Sequence, residues 1–414
     1  MRGSTRRTPG RVAVVGAGMV GLSTAWFLQE AGVEVTVLDR SGVAAGSSWG
    51  NAGWLTPGLA APLPEPAVLK YGLRAMFSPS SPLYIPPTAD PRMLRWLAQF
   101  ARNCTPARWN KAMHGMFPLI EGALPAFDAL EAGGVTARTQ PADPLTAAFR
   151  TAQDSKGLLE EFAHLRKAGR PVDFEILDGA DARNSEPVLA DEITRVVRFF
   201  GQRFIDPAQY VQAIAASVRA RGGLIAEGAE VRSIHPTGSC VTVADEDYDA
   251  VVLAHGAWIN GLARQAGVRQ IVQAGRGYSF TVKMDQLPNG PVYFTQQKIV
   301  CTPLGDRARI AGTMEFRDVT APKDPRRIQA LVSQVRALLH GAQLDDREHE
   351  WVGARPCTAD GLPLIGAGSN SRVFVAGGHG MWGVFLGPVS GRLLAEQITT
   401  GQRPDALRAV DPLR

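Results

Sequence analysis

At roughly 150 residues per domain, the 414 residues leave room for about two or three domains, each with an ample core. Apolar residues make up 45% of the chain and charged residues 20%, which excludes intrinsic disorder, collagen and coiled coil. The 44 basic against 39 acidic residues give a net charge of +5, too dilute at this length to argue for nucleic acid. Four cysteines (Cys104, Cys240, Cys301 and Cys357) stand far apart with no CxxC pair. No disulfide framework and no metal site are therefore expected, and a reducing cytoplasm fits.

In chain order, residues 1–10 read as a flexible basic arm. The apolar run 12–28 follows Arg2, Arg6, Arg7 and Arg11, as an export signal would, but three glycines at fixed spacing and the polar continuation Gln29, Glu30 argue against one. No other stretch approaches the ~20 apolar residues of a membrane span. A short buried strand over 11–15 runs into Gly16-Ala17-Gly18-Met19-Val20-Gly21. A helix over 22–31 stops at Gly32, and an alternating strand over 33–38 ends at Asp39, completing one βαβ unit.

A small-residue loop follows at 46–53, then nine prolines between 57 and 91 with one short helix expected near 67–77. Helices are predicted over 91–104, 110–131 and 155–168, and another from the Asp206-Pro207 cap to about 221. Strands dominate next, at 224–226, 230–234, 239–244, 249–254, 270–283, 291–301 and 308–315. A long amphipathic helix over 324–340 precedes a buried strand at 373–376, a glycine loop at 377–383 and a final helix over 388–400. The order predicts an α/β protein, α+β overall. A Rossmann-like cofactor domain, discontinuous in sequence (11–60, 200–265 and 350–402), carries a substrate domain (61–199 and 266–349) with a mainly antiparallel mixed sheet flanked by helices.

In Gly16-x-Gly18-x-x-Gly21, the first glycine permits the tight turn, the second lets backbone approach a pyrophosphate and the third lets helix and strand pack closely. The helix then aims its free N–H groups at the diphosphate. Asp39, 18 residues past Gly21, is placed to accept ribose hydroxyls and argues against a 2′-phosphate. The fingerprint does not separate NAD from FAD. The glycine-rich segments 46–53 and 377–383 favour FAD, because a long flat isoalloxazine needs backbone from distant parts of the chain.

These segments resemble the FAD-dependent D-amino-acid oxidase superfamily, and within it the D-amino-acid dehydrogenase small-subunit branch, over about 11–400. The residues that carry the resemblance are 12–39, GSSWGNAGWLTPG at 46–58, VVLAHGAW at 251–258, GRGYSFTV at 275–282, RIAGTMEF at 309–316, WVGARPCTADGLPLIG at 351–366 and GGHGMWG at 377–383. Glycine oxidases and glyphosate-oxidoreductase-like enzymes share much of the pattern. The resemblance implies oxidative deamination by hydride transfer from an amino acid's α-carbon to flavin N5, giving an imino acid that hydrolyses to keto acid and ammonia. N-substituted glycines and cyclic imino acids such as hydroxyproline are the alternative substrates.

The resemblance assigns the substrate carboxylate to Arg355, whose planar guanidinium suits a bidentate pair. It places His379 beside the flavin, either to stabilise charge on the reduced ring or to brace the loop. Tyr278 and Glu315 are candidates for the pocket wall or for its support. Met381 and Trp382 stand where glycine oxidases carry a second arginine, which suggests an apolar substrate side chain. The cofactor contacts expected are Gly16, Ala17, Gly18, Met19, Val20, Gly21, Asp39 and Arg40, with Ser47, Ser48, Asn51, Ala52 and Gly53 from the loop. Val231, Ala254, Gly256 and Trp258 join from the middle of the chain, and Gly378, His379, Gly380 and Gly383 from its end. Cys357 is too close to Asp360 to match a covalent flavin cysteine, so non-covalent FAD is expected. The acceptor is oxygen, a quinone or an artificial dye.

Two other readings arise from the residues. Gly46-Ser47-Ser48-Trp49-Gly50 satisfies G-x-S-x-G, but a serine hydrolase needs a strand before the nucleophile and a helix after it, and neither is present. The stretch 91–104 sets Arg92, Arg95 and Arg102 against Leu94, Trp96, Leu97 and Phe100, the pattern of a basic amphipathic helix. It is read either as a peripheral membrane contact on the inner face or as a helix packed on the protein's own core.

Overall fold

The computed structural model describes residues 9–66, 68, 78–167 and 169–414. Nearly all of the expected arm at 1–10 and of the expected helix near 67–77 lies outside these residues. The first strand, β1 (Arg11–Val15), leads through the glycine turn into helix α1 (Met19–Glu30) and back through β2 (Glu34–Asp39). Strands β1 and β2 pair in parallel, Val12 opposite Val35 and Val14 opposite Val37. They sit inside a six-stranded sheet. Its order is Leu224–Glu227, β2, β1, Ala250–Leu253, Val373–Gly377 and Leu364–Ala367, all parallel except the last.

Helix α1 is buried on nearly every side, including Leu22, Trp26 and Leu28 and the small polar residues Ser23 and Thr24. Close packing on two fronts requires this. A Cβ on Gly21 would fall 1.9 Å from the Gly16 carbonyl oxygen, and one on Gly391 of the C-terminal helix (Gly383–Thr400) would fall 2.6 Å from Thr24 N. The glycines therefore let α1 touch both its own strand and the last helix, joining the two ends of the chain. That last helix starts five residues earlier than expected, and Pro388 is carried inside it.

The second layer is a nine-stranded mixed sheet. Its path runs Glu348–Thr358, Val272–Val282, Arg307–Phe316, Ile299–Leu304, Val292–Phe294, Leu145–Phe149, Arg195–Phe199 and Phe174–Asp178, with Leu83–Tyr84 added beside Arg307–Phe316. The elements depart from the sequence reading at four points. The strand Leu145–Phe149 (LTAAF) is buried at every position, so it shows no alternation to read. The expected strand 291–301 is a hairpin that turns through Lys298, held at φ +55°. The strand expected at 230–234 is found at Ile234–Pro236, in a small three-stranded sheet.

The fourth concerns the domain boundaries. The limit at 350 cuts the strand Glu348–Thr358, which pairs with Val272–Val282 from Thr281 to Val272 and so belongs to the large sheet. The helix Pro106–Ala132, assigned by sequence to the substrate domain, shares the hydrophobic core of α1 and the C-terminal helix through Met116, Leu119, Ala123 and Phe127. The helix Pro91–Asn103 also corrects the membrane reading. Trp96 is fully buried, 4.7 Å from the Phe316 ring between centroids, and its Nε1 donates to the Cys357 carbonyl at 3.1 Å. The aromatic anchor of that reading is thus spent on the protein's own core, although Leu94 remains 50% exposed. Among the described residues no helix is long and apolar enough to cross a membrane.

The two kinds of glycine predict opposite outcomes. Gly21→Ala drives a methyl into backbone that cannot retreat and is expected to cost about 1–3 kcal/mol or more. Gly157 lies in the helix Lys156–Lys167 with open space around its Cβ position, so Gly157→Ala is expected to stabilise by up to about 1 kcal/mol. Urea midpoints check both, and equal midpoints for the two variants would refute the packing argument.

Candidate active site

A cleft of about 690 Å³ opens along the C-terminal ends of the parallel strands. Gly16, Gly18, Met19 and Val20 line it from the first turn, Asp39 and Arg40 from the end of β2, and Ser47, Ser48 and Asn51 from the loop. Val231, Ala254, Gly256 and Trp258 follow, then Arg355, His379, Gly380, Met381 and Gly383. Residues more than 350 positions apart thus share one surface.

The cleft fits a dinucleotide. Gly18 heads α1 and has no side chain to cap it; Met19 N is held by Ser48 Oγ at 3.2 Å, and Gly18, Met19 and Val20 face the cleft, where a diphosphate fits. Asp39 is fixed by three backbone donors: Ala17 N at 2.9 Å, Ser41 N at 2.8 Å and Gly42 N at 3.0 Å. The Arg40 guanidinium lies 4.0 Å over the Trp258 ring, a cation–π pair on the cleft wall. Buried Trp258 Nε1 and His255 Nδ1 have no partner among the described residues, and both residues line the cleft. His255 was not anticipated; it directly follows Ala254, and burial holds its pKa down to about 4.

Some expected residues shape the cleft without facing it. Ala17, Gly21, Ala52, Gly53 and Gly378 are not on its wall. Gly53, at φ +80°, packs so closely that a Cβ would lie 2.0 Å from the Ile205 carbonyl oxygen. The loop around them is held from the large sheet. Ser279 Oγ donates to Gly50 O at 2.8 Å, Thr302 Oγ1 to Ala52 O at 3.0 Å, and Arg309 Nη1 to Trp49 O at 3.2 Å and Asn51 O at 3.3 Å. Ser47 Oγ donates to Ala354 O, which leaves Ser48 Oγ to receive Met19 N at 3.2 Å. The loop carbonyls are thereby drawn toward the sheet, away from the cofactor side.

Arg355 lies on the cleft wall, half-buried. Its Nη1 donates to the Thr313 carbonyl at 3.0 Å, and among the described residues no carboxylate pairs with it. Burial pulls its pKa below the ordinary value, yet a guanidinium stays charged. The result is a cation facing a cleft with most of its donors open.

His379 is buried, and its Nε2 lies 2.9 Å from Ser390 Oγ. That hydroxyl already donates to Leu386 O at 2.7 Å, so it must accept from Nε2–H, which fixes the tautomer. Burial also lowers the imidazole pKa to about 4. His379 is therefore neutral near pH 7 and braces the loop against the C-terminal helix, the second of its two expected roles.

Tyr278 and Glu315 require correction as pocket-wall candidates. Side chains alternate along Val272–Val282, so Tyr278 and Arg276 point to the face opposite Gly277 and Arg355. There Tyr278 OH donates to Glu315 Oε1 at 2.8 Å, Arg276 Nη1 sits 3.2 Å from the same carboxylate, and Asp324 N donates back to Tyr278 OH at 3.2 Å. The helix Pro325–Arg336 covers this face through Ile328, Leu331 and Val335. Trp382 also differs from expectation: its Nε1 donates to Ala61 O at 2.7 Å, and the ring is not on the cleft wall. Met381, 37% exposed, is.

The lowered pKa of His379 gives a signed expectation. Its folded value near 4 lies below the ordinary 6.5, so the unfolded chain binds the proton more readily between these pH values. The contribution of this group is complete above pH 6.5 and is lost as the pH falls toward 4. In His379→Gln that titration disappears, and the stability gap between parent and variant is expected to narrow between pH 6.5 and 4. Chemical denaturation across that range checks it; a gap that widens on acidification contradicts it.

Comparison with known proteins agrees with this geometry. A protein-family model described as FAD dependent oxidoreductase matches residues 11–397. The D-amino acid dehydrogenase of Azorhizobium caulinodans is 31% identical over 407 residues, covering 95% of this chain and 97% of the relative. That of Cereibacter sphaeroides is 33% identical, covering 95% and 93%. Among solved structures, glycine oxidase from Geobacillus kaustophilus superposes with a TM-score of 0.72 at 21% identity, covering 98% of this chain and 99% of that one. The chain belongs to the DAO family of FAD dependent oxidoreductases.

Proposed function

We propose that the protein oxidises free amino acids, D-amino acids first among them, with non-covalently held FAD. One observation carries the reading: the half-buried Arg355 guanidinium faces the cofactor cleft with no carboxylate partner among the described residues. A substrate carboxylate completes it with two charge-assisted hydrogen bonds, and the bidentate fork fixes the orientation of the α-carbon. The chemistry FAD supplies when bound is acceptance of the α-hydride.

The chain's own residues need only bind, orient and exclude water. His379 is neutral and committed to Ser390, so it is not assigned the substrate's proton. The amine must reach the site uncharged, and the rate is expected to rise with pH through the amine's apparent pKa. Met381 on the cleft wall favours an apolar side chain over glycine. N-methylated glycines and cyclic imino acids carry the same carboxylate and belong in any substrate panel. The Cys357 thiol is buried and off the cleft wall, and burial pushes its pKa up to about 12, far from the thiolate that covalent attachment to flavin needs. Four unpaired cysteines are in keeping with a reducing compartment.

Anaerobic bleaching of the yellow protein by D- and L-amino acids, N-methylglycines and cyclic imino acids tests the assignment, and adding oxygen, a quinone or a dye to the bleached protein tests the acceptor. Arg355→Ala is expected to keep the flavin spectrum while weakening substrate binding by about 2–5 kcal/mol, roughly 30-fold or more. Unchanged half-saturation would remove Arg355 from the site. Acid precipitation is expected to leave the yellow colour in the supernatant; a yellow pellet would show covalent attachment.

A further inference from the structure

We infer that Gly277 is a positioning residue for substrate binding: the space where its side chain would be is the seat of the Arg355 guanidinium, and the Thr313 carbonyl keeps the guanidinium there. The inference rests on the proposed role of Arg355 as the carboxylate binder. Arg355 pairs across the ladder with Gly275, but its side chain leans over Gly277. A Cβ on Gly277 would lie 2.1 Å from Nη2, 2.2 Å from Cζ and 2.5 Å from Nη1 of Arg355. Any side chain at 277 would therefore displace the whole charged head. Gly277 is absent from the positive-φ positions, so its backbone alone does not call for glycine. The requirement is space.

The other side of the strand supplies the second half of the seat. Arg276 pairs with Glu315 and Tyr278 with Gly312, so Gly277 alone faces both Thr313 and Met314, which makes a β-bulge. Thr313 sits in that bulge at φ +58°, a left-handed conformation that is costly for a β-branched residue. The buried Thr313 hydroxyl has no partner among the described residues. Its carbonyl receives Arg355 Nη1 at 3.0 Å. The bulge directs one acceptor at one end of the guanidinium, and the glycine leaves room for the rest. The neighbouring Gly353, paired with Gly277, is likewise bare because the Trp351 ring covers it, 1.8 Å from where a Cβ would be.

Four proteins test this: parent, Gly277→Ala, Arg355→Ala and the double variant, each purified with FAD. Flavin content, urea midpoint and affinity for benzoate, read through the flavin spectrum, are measured for all. Gly277→Ala is expected to weaken benzoate binding at least tenfold, and the double variant is expected to bind no more weakly than Arg355→Ala alone. Parent-like affinity in Gly277→Ala would overturn the inference, and so would losses that multiply in the double variant. If Gly277→Ala alone fails to fold or to hold FAD, the double variant decides. Recovery when the guanidinium is removed supports the seat, whereas failure of both overturns it. Unchanged affinity in Arg355→Ala would instead refute the carboxylate reading, and the urea midpoints would still report whether methyl and guanidinium compete for one space.

Discussion

A charged guanidinium taken partly out of water without a counter-ion is costly unless a ligand completes it. The cleft holds such a cation, the Arg355 guanidinium, which has no carboxylate partner among the described residues. The strand that carries Arg355, Glu348–Thr358, lies at the edge of the large sheet and touches several other parts of the cleft. Its Ala354 carbonyl holds Ser47 of the cofactor loop, its Cys357 bridges to His379, and the Cys357 carbonyl receives Trp96. One strand therefore sets Arg355 against the loop at 46–53, the histidine loop and the helix Pro91–Asn103.

The two sheets are joined through the loop at 46–53 rather than through a common strand. Its carbonyls are held by Ser279, Thr302 and Arg309, all on strands of the large sheet. Gly50 in turn packs so closely against Trp351 that a Cβ would lie 2.2 Å from its ring. The position of the loop relative to the large sheet is thus set by hydrogen bonds and van der Waals contact. Such a site depends on rigid elements more than on a mobile lid.

The face of the large sheet away from the cleft uses charge differently. Arg276, Glu315 and Tyr278 form a buried network, and fully buried Arg327 donates to the carbonyls of Pro79, Ser81 and Met314. These contacts tie the segment 79–84 to the strand bearing the Thr313 bulge. Removing one partner of such a network leaves a charge buried without compensation, so these polar residues hold the large sheet together on the face away from the cleft.

Much of the cofactor side was legible in the chain itself. Gly16, Gly18, Gly21 and Asp39 announce themselves because their spacing follows from a strand, a turn and a helix whose geometry is local. Arg355 stood out only through the resemblance of its motif, since an isolated arginine carries no pattern. For Tyr278 and Glu315 the sequence left pocket wall and support both open, because which face of a strand meets the cleft depends on the register of its partners. The helix Pro106–Ala132 was assigned to the other layer because its apolar residues reveal burial without revealing what buries them. Local sterics, written residue by residue, determined the dinucleotide turn. Pairing between strands more than 30 residues apart decided that Thr313 would bulge, that Gly277 would lie bare beneath Arg355, and that this guanidinium would reach the cleft wall.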